Sequence, residues 1–323
     1  MPRKPHHCRK PAVSQIASPS RPTLFNWLEI ALLGLIWGAS FMMVQLSLNG
    51  IGPLGISTLR IAIAALILSL LCLIRRLPLP SLRRDRKIWL HAAGMALFSN
   101  ALPFSLLSWA QLHVTSGFAG ITMALVPLFT LVMAHLMLPG ERLTLPRLLG
   151  FLLGLIGVAL LIGSDALHSG GASLEPIARV ICIGAALCYA IGSIITRRCP
   201  PVDPIAFSTA ALLIASVMML LVTLTVEGVP AQMPPTSALL AILYLGVFPT
   251  ALATLILVHV IRTAGPTFLT QTNYQVPVWS VIFGTLLLAE PLPAQFIIAL
   301  ALILSGLLVS RIAFRGLSSR PGA

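Results

Sequence analysis

The sequence predicts an all-α fold: a polytopic membrane protein of ten transmembrane helices arranged as two inverted five-helix repeats. Three observations predict it. Ten apolar runs have membrane-spanning length, the basic residues gather in alternate gaps between them, and a proline–glutamate–glycine series recurs in the second half.

The apolar runs come first. The chain is 57% hydrophobic and 9% charged, with a mean hydropathy of +0.97. Soluble domains carry roughly 25% charged residues, which they need to cover a surface in water. This chain needs lipid instead. A helix crosses the hydrocarbon in about 20 mostly apolar residues. Ten such runs lie at about 27–48, 54–74, 88–111, 116–138, 146–163, 177–196, 204–226, 237–260, 266–288 and 292–311. Turn-forming residues separate them, among them Asn49-Gly50, Pro139-Gly140, Ser169-Gly170-Gly171 and Pro234-Pro235. Residues 1–26, rich in Pro, Ser, Arg and Lys, read as a disordered basic tail. They have no cleavage signature, so the first run reads as an uncleaved anchor. The five cysteines form no CxxC pair and read as small core residues rather than a disulfide or zinc framework.

The charge comes second. A formal net charge of +13 would suit a nucleic-acid partner, but the placement of the basic residues argues for no nucleic acid. They sit in short clusters beside the runs, as in the cytoplasmic loops of membrane proteins. With the N-terminus inside, the two tails, the loops after the even-numbered runs and the run ends beside them take 19 of the 21 Lys and Arg, all except Arg60 and Arg179. Both termini are therefore expected in the cytoplasm of a cell membrane, in a bacterium the inner membrane.

The repeat comes third. Pro127 matches Pro277, Glu141 matches Glu290 and Gly157 matches Gly306 at nearly one offset. The halves are assigned as 27–163 and 176–312. Each holds five helices, an odd number, so the second enters the membrane in the opposite sense, as in many secondary transporters. Glu141 is expected at the cytoplasmic side and Glu290 at the far side.

Taken together, these residues resemble the EamA family of the drug/metabolite transporter (DMT) superfamily. The resemblance rests on Trp37-Gly38-Ala39-Ser40-Phe41, Arg60, Pro127 with Gly140-Glu141, and the Gly150, Gly154, Gly157 series. In the second half it rests on Tyr189-Ala190-Ile191-Gly192, Pro277, Glu290 and Gly306. It covers residues 27–312; Tyr189 departs from the Trp that the family often has there. It implies a transporter of small metabolites, with export of amino acids or related compounds as the expected direction, working by alternating access.

Candidate site residues follow from polarity at depth. Pro103, Pro127, Pro249 and Pro277 stand inside runs three, four, eight and nine. Each lacks an N–H and releases the carbonyl four residues earlier, those of Ser99, Met123, Leu245 and Asn273. Such carbonyls are tolerated at depth only against protein or a wet cavity, which predicts a cavity between these helices. The ninth run adds Gln271, Asn273, Tyr274 and Gln275. Gln271, Tyr274 and Gln275 share one helical face. The matching fourth run offers Thr122 and little else, so the load is one-sided. Asn100 and Trp37 complete the substrate-binding candidates. Arg60 lies about 10 Å from the outer end of run two; it either snorkels outward or finds a partner. Gly34 and Gly38, like Gly150 and Gly154, have the spacing of close helix contacts.

The histidines are dispersed toward run ends and read as surface or packing residues. Glu29, Glu141 and Glu290 are terminal, so no carboxylate proton relay is expected at mid-membrane. No metal, cofactor or catalytic group is implied. A nucleotide-binding GxxxxGK[ST] segment is absent from the sequence. The expected partners are a small-molecule substrate and the lipid bilayer; a homo-oligomer is compatible with the sequence. The competing classes are a membrane-embedded enzyme, which needs paired acids or a metal cluster, and a channel or sensor without a transport cycle.

Overall fold

Hydrocarbon offers the backbone no hydrogen-bond partner, so each apolar run must satisfy its own N–H and C=O groups, and the helix does this. The computed structural model describes residues 22–137, 144–162, 174–229 and 232–318, and ten membrane helices are present among them. They are α1 (Leu24–Ser47), α2 (Pro53–Ile74), α3 (Arg86–Ala110), α4 (Ser116–Met137) and α5 (Leu145–Ile162). The second half contributes α6 (Glu175–Arg198), α7 (Pro204–Val226), α8 (Thr236–Ala264), α9 in two pieces (Pro266–Leu269 and Thr272–Leu287) and α10 (Ala294–Ser318). Seven of these are each long and apolar enough to cross a membrane, and α5 and α10 contribute the shorter apolar stretches Leu148–Leu161 and Ala294–Val309. Glu141 falls outside the described residues.

The two halves pack as an inverted pair. α1 touches α8 and α9, and its counterpart α6 touches α3 and α4. The counterparts α2 and α7, α4 and α9, and α5 and α10 touch each other directly. Exchanging the halves therefore preserves these contacts. One core cluster, with Phe118, Leu125, Leu161 and Ile303 fully buried, lies between α4, α5, α6, α9 and α10. A second gathers Ile61, Leu68, Ala96, Leu212 and Ala251 between α2, α3, α7 and α8. Leu66, Leu70, Leu73, Leu220, Leu221 and Leu286 remain exposed on the outside, where lipid covers them.

Glycine sets how closely the seams approach. A Cβ on Gly34 would stand 2.7 Å from Gln275 Cβ, and one on Gly38 would collide with Trp279. A Cβ on Gly306 would strike the Gly150 carbonyl and stand 2.9 Å from the Gly154 nitrogen. The small-residue spacings are thus the α1–α9 and α5–α10 seams, the scaffold role expected of them.

Helix ends are closed by side chains. Thr23 and Asn26 form a reciprocal capping box on α1. Thr115 accepts from Phe118 N–H at 3.2 Å on α4, and Asp203 accepts from Ile205 N–H at 2.9 Å on α7. α9 stops at Ala289, which has φ of 53°, and Glu290 N–H then donates to the Gly284 carbonyl at 3.0 Å. A left-handed alanine costs roughly 1–2 kcal/mol. In sequence the first half has Gly140 before Glu141 where the second has Ala289 before Glu290. Glycine is the residue that this backbone prefers.

Two stability outcomes follow. Gly306→Ala should lower thermal stability in detergent by about 1–3 kcal/mol through overpacking. Gly184→Ala, where a Cβ meets nothing within 4 Å, should leave it unchanged or raise it by about 0.5–1 kcal/mol. Ala289→Gly should raise the unfolding midpoint and Ala289→Val should lower it. Equal midpoints for all of these variants would contradict both the seam and the turn.

Candidate functional site

The interior of the helix bundle contains two matched backbone irregularities. α3 passes through a π-helical segment at Ala96–Ala101, and α8 through another at Val247–Leu252. π-segments widen a helix by one residue and are frequent at functional sites. Each is closed by a polar side chain reaching back five residues. Asn100 Nδ2 donates to the Met95 carbonyl at 3.2 Å, and Thr250 Oγ1 donates to the Leu245 carbonyl at 2.8 Å.

These bonds correct part of the expectation about released carbonyls. The Leu245 carbonyl freed by Pro249 is taken by Thr250. The Met123 carbonyl freed by Pro127 is taken by Val126 N–H, where the helix tightens to 3₁₀ over Met123–Leu125. Neither points to a cavity as an open acceptor. The physical reason is that a local kink lets the next hydroxyl or amide replace the missing N–H. Pro249 offers its own carbonyl instead, and Trp37 Nε1 donates to it at 3.0 Å. Trp37 is thus anchored to the α8 π-segment with its ring partly exposed. It borders the same core as Tyr189 and Tyr274.

Arg60 finds partners inside and does not snorkel outward. It is 6% exposed, with its guanidinium 3.8 Å from the centre of the Phe104 ring of α3. Its Nη2 donates to Thr250 Oγ1 of α8 at 3.4 Å, and its Nε has no partner. Tyr189 of α6 stands edge-on to Phe104, ring centres 6.4 Å apart. Four helices therefore meet around one buried cation.

The α9 candidates occupy a break. Leu269 ends the first piece, Gln271 lies in the turn, and Thr272 starts the second. Gln271, Asn273, Tyr274 and Gln275 are all half-buried. The amides of Gln271, Asn273 and Gln275 make no side-chain hydrogen bond among the described residues. The Thr272 hydroxyl, 1% exposed, has no partner either. Gln275 lies in the α1 seam against Gly34, whereas Asn100 turns its amide toward its own helix.

Both membrane faces are closed by carboxylates. On the face away from the chain ends, Glu290 accepts from Ser116 N–H at 2.9 Å, Ser116 Oγ at 3.0 Å and Gly117 N–H at 3.0 Å, at the start of α4. Glu227 accepts from Leu54 and Gly55 N–H at 2.8 and 2.9 Å at the start of α2. A negative charge is favourable there because helix N-termini carry partial positive charge. Beside Glu290 opens a pocket of about 390 Å³, lined among others by Gln45, Gln111, His113 and Thr115. Gln111 is 2% exposed, and both of its amide atoms lack a partner. On the face bearing the chain ends, Glu29 Oε1 lies 2.6 Å from His259 Nδ1, and Glu29 Oε2 accepts from Asn26 at 3.1 Å. His259, half exposed as a surface residue would be, is paired with Glu29 across the α1–α8 contact.

Sequence reasoning missed Phe104 and Thr250 as site neighbours, and the Glu29–His259 pair. Thr250 carried a signal, since a hydroxyl directly after a mid-helix proline is placed to cap the carbonyl that the proline frees. The Glu29–His259 pair carried none.

Comparison with known proteins agrees with this architecture. The EamA-like transporter family matches residues 27–163 and again 177–312, once per half. The chain is 29% identical over 263 residues to an uncharacterized inner membrane transporter, YedA, of Escherichia coli K12, covering 80% of this chain and 82% of that one. It is 24% identical to the uncharacterized transporter YoaV of Bacillus subtilis, covering 89% of this chain and 97% of that one. It is 25% identical to a probable terminal-alkyne amino-acid exporter of Streptantibioticus cattleyicolor, covering 87% and 91%. A solved crystal structure superposes with a TM-score of 0.65 at 23% identity, over 93% of this chain and all of that one, and so shares the fold. With both halves matched and the inverted bundle in place, this chain is a multi-pass membrane transporter that belongs to the EamA-like transporter family.

Proposed function

We propose that this protein is a secondary transporter that exports small amphipathic metabolites, amino acids or close relatives of them, by alternating access. It would lie in a bacterial inner membrane with both termini cytoplasmic. The carrying observation is the pair of π-segments at matching places in α3 and α8, together with a ninth helix that is broken at Gln271. An inverted frame gives two conformations of similar packing, one open to each side, because exchanging the halves preserves the contacts. The broken helices supply the points at which α3, α8 and α9 can bend. Similarity to the amino-acid exporter supports the substrate class.

Orientation is tested by reporter fusions. Fusions after Arg84 and Arg198 should report the cytoplasm, and those after Asp165 and Glu227 the opposite side; a reversal at any one contradicts the assignment. Transport is tested by counterflow in proteoliposomes. Labelled substrate should exchange against unlabelled without an imposed pH gradient, since Glu29, Glu227 and Glu290 all lie at helix ends by the membrane faces. A strict requirement for the gradient, lost in Glu290→Gln, would overturn this.

The α9 strip is tested by truncation. An amide that pairs with a desolvated ligand should cost about tenfold to a hundredfold in apparent affinity when removed. Gln271→Ala, Asn273→Ala and Gln275→Ala should do so at normal abundance. Thr122→Ala should not, because the Thr122 hydroxyl already donates to the Ala119 carbonyl at 2.6 Å. Wild-type affinity in all three would make the strip scaffold.

A further inference from the structure

We propose that Arg60 is the anion subsite of the transport path and binds the carboxylate of the substrate. The proposal rests on the transport reading above and narrows its substrate class to small carboxylates with an apolar or aromatic body.

Two basic residues fall outside the one-sided distribution, Arg60 and Arg179. Arg179 has its counter-ion: its Nη2 donates to Glu175 Oε1 at 2.5 Å, one turn away. Arg60 has none. A guanidinium carries five N–H donors in a planar fork that matches a carboxylate. Among the described residues it makes a single hydrogen bond, the long one to Thr250, and its buried Nε makes none.

No described carboxylate is left to serve it. Glu227 and Glu290 cap helices, Asp203 caps α7 and pairs with Arg262, Glu175 holds Arg179, Glu29 holds His259, and Asp85 accepts from Ser81 N–H. All of these lie at the membrane faces. A buried charge without an anion is costly to hold, and such residues inside membranes mark substrate paths.

The frame does not need the charge. α7, the inverted counterpart of α2, contains no charged residue, although the two helices pack together. The surroundings suit an amphipathic acid. The Phe104 face holds the guanidinium by a cation–π contact. Thr250, its other partner, directly follows Pro249, whose carbonyl anchors Trp37. Trp37 and Tyr189 keep partly exposed rings beside one core. A carboxylate at Arg60 can thus extend its apolar group along aromatic surfaces.

The test pairs acids with analogues in which an amide replaces the carboxylate, on the full-length purified protein. L-phenylalanine, L-leucine and phenylacetate are compared with L-phenylalaninamide, L-leucinamide and phenylacetamide, by thermal shift in detergent and by competition in counterflow. At least one acid should bind about thirtyfold or more tightly than its partner without the carboxylate. Arg60→Gln should erase that difference, and Arg60→Lys should restore part of it. The wild-type comparison stands even where Arg60→Gln does not fold, and Arg60→Lys then carries the variant arm. Equal binding of acids and amides overturns the proposal, as does a variant that keeps the wild-type preference. If no acid binds while solutes of a cell extract still exchange, the carboxylate class fails and the transport reading survives. If nothing exchanges, both fail.

Discussion

Lipid cannot hydrogen-bond, and the rest of this structure follows from that constraint. It makes the chain helical, and it requires every irregularity to be repaired from within. Glu227, Glu290, Asp203 and Thr115 repair helix starts. Asn100 and Thr250 repair the π-segments, and a 3₁₀ turn repairs the break at Pro127. Against so complete a set of repairs, the groups left without partners gain meaning. Among the described residues they include the Arg60 Nε, the Thr272 hydroxyl and both amide atoms of Gln111. All are buried side-chain atoms. An unmet buried polar group costs about 1–3 kcal/mol, so these positions are where water or a solute must complete the bonding.

Helix count, inversion and the close seams were legible in the sequence because they depend on local composition and on repeats. Apolar length, basic clusters and glycine spacing each report on one helix at a time. The fate of the released carbonyls was legible only in part. Proline names the carbonyl that loses its donor, but which neighbour replaces the donor depends on whether the helix widens, as at Pro249, or tightens, as at Pro127. The Glu29–His259 pair joins residues 230 positions apart. Two surface-like residues in separate helices give no pattern from which that pairing could be read. Arg60 was legible as a cost, with outward snorkelling, a partner or an anionic substrate all left open, because a sequence does not show whether a counter-ion reaches it.

The halves agree in backbone and differ in side chains, and the division has a physical basis. Helix packing and the π-segments recur because an inverted frame must support the bundle in either sense, whereas the end caps differ between the halves. Side chains that meet a solute have no such duty. Arg60 has no counterpart in α7, and Trp37 of α1 corresponds to Tyr189 of α6. The polar strip of α9 has no like counterpart in α4, whose Thr122 bonds its own backbone. On the reading proposed above, a solute held between such halves would meet a cationic wall and aromatic rings, and the asymmetric lining would fix its orientation while the symmetric frame changes which face is open. The seams at Gly34, Gly38 and Gly306, where a Cβ has no room, hold helices together on either side of the breaks.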